Sequence, residues 1–425
     1  MKISLPYGRQ TVSFRVPDRQ FIGLLDPPPV QAIADPSAEI NRAIDEPIGT
    51  PPLSSLVGCG KKVAILVDDA SRPTPVSMIL PILIRKLETA GVRPADIHIV
   101  MALGSHRYMT AAELADRVGS DIYRRYRVVN SEFRDPDGLV DVGCTPDGVR
   151  ILASQTAMAA DIRIGVGNLA PHPVMGWGGG GKILFPGIAG EHTVAYFHLK
   201  AALLDANFFG QRTTPIRDMM EGWVDTIGLD FIINTVLTAD LRIYRVVAGH
   251  YIAAHRAGVE AGRRVMGCPV PQKAELVVVS SHPADQDFWQ SPKALYAAEP
   301  ALKGHCGGTM ILVSPNYEGI GPHAEYPVCM GRDDGDAIVR ACIRGETGIG
   351  DPLAIAVGNS MSKLRRRRQL VVVSDGVTAA EMAACGCRHY PMDRLQQAVN
   401  DALAEYGPDS RVAALSNGAE TFLYD

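Results

Sequence analysis

Apolar and polar positions fall into short blocks along most of the chain, and two periods recur in them. From Lys62 an unbroken apolar run, Val63-Ala64-Ile65-Leu66-Val67, ends in Asp68-Asp69. A run so short and free of polar alternation predicts a strand buried on both faces, as in a parallel sheet. Val76, Ile79, Leu80, Leu83 and Leu87 then recur at helical spacing, and Gly91 stands where a helix ends. Ile97 to Leu103 predicts a second strand, and Thr110 with Glu113 predicts a capping box for another helix. Alternation of this kind needs crossover connections and therefore a doubly wound, mainly parallel sheet.

The alternation restarts late, with Leu276 to Ser280, Met310 to Ser314 and Leu370 to Ser374 as expected strands. Gly267, Pro269 and Pro271 put the boundary near residues 267 to 275. The expected division is an N-terminal domain of residues 1–270 and a C-terminal α/β domain of residues 271–407, with the segment 408–425 returning to the first domain through Val412 to Leu415. Residues 20 to 60 carry Pro27-Pro28-Pro29, Pro36, Pro47 and Pro51-Pro52 and read as an irregular lead-in with a short helix near residues 37 to 45. The expected fold is α/β, two domains each with a Rossmann-like sheet flanked by helices, with the active site in the cleft between them.

Composition narrows the function classes. The 425 residues are 46% apolar and 21% charged, the balance of a chain with large buried cores. A net charge of -4 argues against nucleic acid and anionic membrane as partners, which need clustered positive charge. The one basic run, Arg365 to Arg368, is expected to be a solvated helix end. Eight cysteines without a Cys-x-x-Cys pair indicate reduced thiols and a cytoplasmic protein, with neither a disulfide framework nor a structural zinc site. Cys385 and Cys387 flank one glycine and read as buried thiols in a turn or as a soft-metal pair. The first residues lack the pattern of a signal peptide, and no apolar stretch approaches eighteen residues, which argues against a membrane span.

Chemistry concentrates in three places. Pro171-His172-Pro173-Val174-Met175-Gly176-Trp177 leads into Gly178-Gly179-Gly180-Gly181-Lys182. So many glycines free the backbone amides to wrap an anion such as a phosphate, and the lysine adds charge. Gly176 to Lys182 also fits the first seven positions of a nucleoside-triphosphate loop, but Ile183 stands where a hydroxyl must hold magnesium. A phosphate-bearing ligand, an NTP-dependent kinase or ligase, and a plain glycine-rich turn all remain open on this motif alone.

Histidines form the second group. His106 follows the expected strand in Gly104-Ser105-His106-Arg107, His172 precedes the glycines, and His198 lies beyond Lys182 on a helix opened by Gly190-Glu191. Imidazoles ligate nickel or copper, and a pair on opposite sides of a substrate moves protons in both directions. Third, Asp69, Ser71 and Arg72 lie in a proline-stiffened strand end, where arginine suits a carboxylate; the alternative for Asp69 or Ser71 is a helix cap. Trp289-Gln290-Ser291-Pro292-Lys293 opens a helix in the second domain, offering another cation.

In this order the motifs Asp-x-x-Arg-Pro-x-Pro, Gly-x-His-Arg, Pro-His, the glycine loop with its lysine, the later histidine and Gln-x-x-Lys resemble the nickel-dependent lactate racemase family. The resemblance covers most of the chain. It implies a 2-hydroxyacid racemase or epimerase that uses nickel in a pincer nucleotide, a pyridinium mononucleotide with two sulfur-bearing groups, made by dedicated biosynthesis enzymes. By motif, Lys182 carries a thioamide link to this cofactor and His198 ligates nickel. His106 and His172 are the acid/base pair. Arg72, Lys293, Gln290 and Trp289 meet the substrate, and Asp69, Ser71, Gly178, Gly179, Gly180 and Gly181 lie by the cofactor. The implied reaction removes the hydroxyl proton with one histidine while hydride passes to the pyridinium ring and returns to the opposite face of a planar 2-oxo acid. Two departures bear on the substrate: Met175-Gly176-Trp177-Gly178 differs from the usual loop, and Trp289 replaces tyrosine and is the last tryptophan of the chain. Lactate, malate, a longer aliphatic or aromatic 2-hydroxy acid and an aldonate all stay open, as does a non-catalytic nickel or nucleotide carrier.

Overall fold

The apolar run Val63–Asp68 lies inside a six-stranded sheet, where its side chains meet protein on both faces. The structure is a computed structural model and describes all residues except Ser105, Asp147, Thr347 and Ile349. The sheet runs Ile243–Gly249, Phe231–Leu237, Ile162–Asn168, Val63–Asp68, Ile97–Ala102, Arg127–Asn130. Only the Ile243–Gly249 edge is antiparallel to its neighbour. Helix Val76–Thr89 buries the expected stripe of Val76, Ile79, Leu80, Leu83 and Leu87. Thr110 and Glu113 form the expected reciprocal capping box of helix Ala111–Val118.

A second sheet, wholly parallel, runs Arg388–Tyr390, Gln369–Val373, Thr309–Val313, Leu276–Ser280, Val412–Leu415, Phe21–Leu24. Its membership departs from expectation twice. Val412–Leu415 does not go to the first sheet; it lies between Leu276–Ser280 and Phe21–Leu24, because four fully buried apolar residues need a ladder on each side. The lead-in is also not wholly irregular, since Phe21–Leu24 forms the edge of this sheet and the hairpin Lys2–Tyr7/Gln10–Arg15 packs its apolar face on the same core. A half-buried edge strand of four residues leaves no periodic signal. Phe422–Tyr424 pairs with Gly267–Pro269 at the junction of the two units.

Arg365 to Arg368 end helix Pro352–Arg367 as expected, but they are tethered rather than merely solvated. Arg367 meets Asp205 and Glu299, and Arg368 donates to the carbonyls of Lys303, Gly304 and Gly307. The same helix packs on helix Glu191–Ala202, where Lys363 Nζ donates to the Ala202 carbonyl at 2.8 Å. That contact sets a helix of the first unit, bearing His198, against the second. Among the described residues no helix is long and apolar enough to cross a membrane.

Candidate active site

Parallel strands bring their carboxyl ends to one edge, and loops leaving that edge carry most of the candidate residues. After Val63–Asp68 the chain turns through Asp69 to Pro75, and Arg117 locks this turn. Its guanidinium reaches the Asp68 carboxylate and donates to the carbonyls of Asp68, Arg72 and Thr74. Thr74 Oγ1 donates to Asp68 Oδ2 at 2.5 Å. Burial raises the pKa of Asp68, with Arg117 opposing.

Asp69 is buried and accepts from the Ser71 amide at 2.8 Å. Its Oδ2 stands 2.5 Å from His106 Nδ1, with Ser71 Oγ 3.3 Å from the same nitrogen. Burial works against the Asp69 charge, but His106, Arg72 and the Ser71 side chain outweigh it and hold the carboxyl well below its usual range. An ionised Asp69 makes Nδ1 of His106 the donor, so the neutral ring offers a lone pair at Nε2. Burial lowers the His106 pKa against the pull of Asp69. Ser105, of the motif around this histidine, lies outside the described residues.

His172 is arranged in the opposite sense. Its Nδ1 accepts from the amides of Val174 and Met175 at 3.2 and 3.3 Å, so the neutral ring carries its proton on Nε2. Burial, then the charges of Lys182, Lys293 and Arg72, push its pKa well below the ordinary value. His198 sits one turn after Val194 on helix Glu191–Ala202 and donates from Nδ1 to the Val194 carbonyl at 2.8 Å. Its Nε2 lone pair is thereby oriented for a metal. Burial lowers it to about 4, the Val194 carbonyl opposing, so it is neutral at physiological pH.

Lys182 belongs to a 3-10 turn, Gly180–Ile183, that follows a two-residue antiparallel pair, Pro171–His172 with Gly176–Trp177. A nucleoside-triphosphate loop instead joins a parallel strand to a helix N-terminus. The glycines divide by task. Gly178 and Gly179 line the cavity. Gly180 and Gly181 do not: they face the core, where a Cβ would come within 2.8 Å of His255 and 2.9 Å of Val224, and the Gly180 amide donates to Asn234 Oδ1 at 2.8 Å. The Gly180 amide is thus already engaged, unlike a free amide expected to wrap an anion. Positive φ angles of 71° and 63° at Gly179 and Gly180 explain why side chains are excluded there. Burial, then Arg72, lowers Lys182 to about 7, which leaves much of it a neutral amine.

Gln290 joins the two units. Its Oε1 accepts from Arg72 Nη1 at 3.4 Å and from Lys293 Nζ at 3.2 Å, and its own amide is held by Asp287 Oδ1 at 2.9 Å. Two cations thus converge on one uncharged oxygen. Burial, then Arg72 and Lys182, pushes Lys293 well below the ordinary lysine value.

These groups line one cavity of two lobes. Arg72, His106, His172, Lys182, His198 and Lys293 border both. The first lobe, about 1050 Å³ with its open mouth, is walled by Asp69, Ser71, Gly178 and Gly179; the second, about 770 Å³, holds Trp289 and Gln290. The first lobe also carries two groups that no sequence pattern marked. Asn168 Nδ2 is buried without a hydrogen-bond partner, and Glu420, from the turn after Val412–Leu415, is raised to about 7 by burial. Both stand on irregular backbone or at a strand end, where periodicity says nothing. Among the described residues no three His, Cys, Asp or Glu side chains stand together as a metal cage. Cys385 and Cys387 are buried thiols, both raised chiefly by burial, Cys387 to about 12.

Comparison with known proteins gives this geometry its context. Residues 7–208 match the model of the lactate racemase N-terminal domain. The lactate racemase of Thermoanaerobacterium thermosaccharolyticum is 29% identical over 331 residues, 76% of each chain. The apoprotein structure of that enzyme superposes with a TM-score of 0.86 over 100% of both chains, at 25% identity. The chain resembles the lactate racemases over most of its length. It is accordingly a racemase-type enzyme, an isomerase by reaction class. The lactate racemase of Lactiplantibacillus plantarum is likewise 29% identical, over 76% of this chain and 77% of its own. A Thermotoga maritima protein solved by structural genomics shares the fold, with a TM-score of 0.73, 18% identity and coverage of 94% and 99%.

Proposed function

We propose that the chain inverts the α-carbon of a 2-hydroxy acid in the cavity between the two sheets. The observation that carries this reading is the convergence of His106, His172, Arg72 and Lys293, with Lys182 and His198, on one cavity. Arg72 and Lys293 hold the substrate carboxylate, exchanging their shared bond to Gln290 for two charge-assisted ones. His106, backed by Asp69, takes the hydroxyl proton at Nε2, and Asp69 stabilises the imidazolium formed. His172 is its counterpart for the other enantiomer, offering its Nε2–H to the substrate oxygen.

The α-hydrogen is too weakly acidic for a side chain, so an electron-accepting cofactor is needed. The residues fit a nickel pincer nucleotide. Lys182, about half of it free amine near pH 7, is suited to a thioamide link. His198 offers one imidazole, consistent with a metal that takes its other donors from a bound group. Gly178, Gly179, Ser71 and the unpartnered Asn168 amide line the lobe where the nucleotide would lie, while Gly180 and Gly181 shape the loop from behind. When bound, the group supplies a reversible acceptor for the α-hydrogen. Maturation would then depend on cofactor-biosynthesis enzymes as partners.

The test is intact mass and nickel content of protein co-expressed with those enzymes, followed by polarimetry of enantiopure 2-hydroxy acids. A nucleotide-sized increment on Lys182, stoichiometric nickel and loss of optical rotation are expected. Bare protein without nickel, or magnesium-dependent ATP turnover, would overturn the reading.

A further inference from the structure

The second lobe differs in character from the rest of the cavity. Beyond the six residues it shares with the first lobe and Gln290, its wall carries no charge: Val174, Ala201, Ala356, Val357 and Met361 face the rings of Trp289, Tyr296 and Tyr326. The Trp289 ring lies 4.2 Å from His323 and 5.1 Å from Tyr326 between centroids, and His323 is itself anchored to Asp351 at 2.6 Å. These rings form a fixed surface.

The basic side chains of this lobe, Arg72, Lys182 and Lys293, stand at the end it shares with the histidines. A substrate whose carboxylate is held there directs its side chain along the apolar wall. We infer that this site takes 2-hydroxy acids with a bulky uncharged side chain, aryl foremost, in preference to lactate or a hydroxy-dicarboxylate. This rests on the racemase reading above. A methyl group leaves most of this wall untouched, whereas an aryl ring is flanked by three aromatic side chains. Each methylene placed in an apolar pocket is worth roughly 10–200-fold in discrimination. A second carboxylate at the far wall would be buried among apolar side chains with no cation opposite, the arrangement that costs most.

The Tyr326 hydroxyl sharpens the inference. It is fully buried on this wall and has no hydrogen-bond partner. A polar but uncharged atom at the end of the side chain, such as a phenol oxygen, fits beside it.

The experiment compares kcat/KM of the nickel-loaded protein for (S)-3-phenyllactate, (S)-2-hydroxy-4-methylpentanoate, (S)-lactate and (S)-malate. Phenyllactate is expected to exceed lactate by at least about tenfold, with malate last. In cofactor-free protein, phenyllactate is expected to shift the fluorescence of Trp289 at concentrations where lactate does not. Val357→Phe, and independently Met361→Trp, should cut the phenyllactate-to-lactate ratio about tenfold or more. A ranking with lactate or malate first overturns this inference and leaves the racemase reading standing. No turnover of any of the four by loaded protein overturns that reading and this one with it.

Discussion

His106 Nδ1 lies 2.5 Å from Asp69 Oδ2, so a carboxylate in the turn after one strand fixes the tautomer of a histidine in the turn after its neighbour. Asp69→Asn keeps the shape but not the acceptor charge, and lets Nδ1 lose its proton to Nε2. The expected result is a fall in kcat of about 10²–10⁴-fold with KM within about threefold. Steady-state racemisation measures it, and an unchanged kcat would show that His106 is not oriented this way.

Lys182 titrates at about 7 in the cofactor-free protein. Near neutrality about half of it is free amine, against roughly one in a few thousand for an ordinary lysine. Trinitrobenzenesulfonate should label Lys182 with a half-maximal rate near pH 7, read by peptide mass spectrometry. Labelling that begins only above pH 9 would contradict the charge crowding described here.

Glu420 has the opposite sign of linkage. Its folded pKa of about 7 exceeds its ordinary 4.5, so the folded state keeps a proton that the unfolded state loses. The stabilisation is complete below about pH 4.5 and is lost as pH rises to about 7. That difference corresponds to about 3 kcal/mol at one pKa unit per about 1.4 kcal/mol. Urea melts should show Glu420→Gln gaining on the parent protein as pH rises through this window; parallel curves would refute it.

Arg117 holds the Asp68 to Thr74 turn by one ion pair and three carbonyl bonds. Arg117→Ala strands a buried carboxylate and frees the turn that carries Arg72. Destabilisation of about 3 kcal/mol in denaturant, with a raised KM for the 2-hydroxy acid, is expected. A weakened fold with unchanged KM would separate the anchor from the site.

Much of this was legible in the residues. The strand runs at Val63 and Leu276, the helix at Val76 and the capping box at Thr110 each follow from local periodicity or local hydrogen bonding, and they stand where expected. The site residues drawn from the ordered motifs meet at one cavity, except Gly180 and Gly181. What the pattern hid is non-local. Phe21–Leu24 and Val412–Leu415 are too short to announce a partner, Arg117 reads as one more polar position on a helix, and Glu420 acquires its character only from burial by distant segments.

The adjacency of Phe21–Leu24 and Val412–Leu415 also sets an order of events on the ribosome. Every strand of the first sheet emerges by Gly249, whereas the edge strand of the second must wait for a neighbour 388 residues behind it, counted from Leu24 to Val412. At 5–20 residues per second this is a delay of roughly 20–80 s. Until Leu276–Ser280 and the strands after it emerge, the apolar face of the hairpin Lys2–Tyr7/Gln10–Arg15 has no core to cover it. Nascent chains of this protein are therefore expected to occupy chaperones through this hairpin, and to release them only once the strands of the second sheet have emerged.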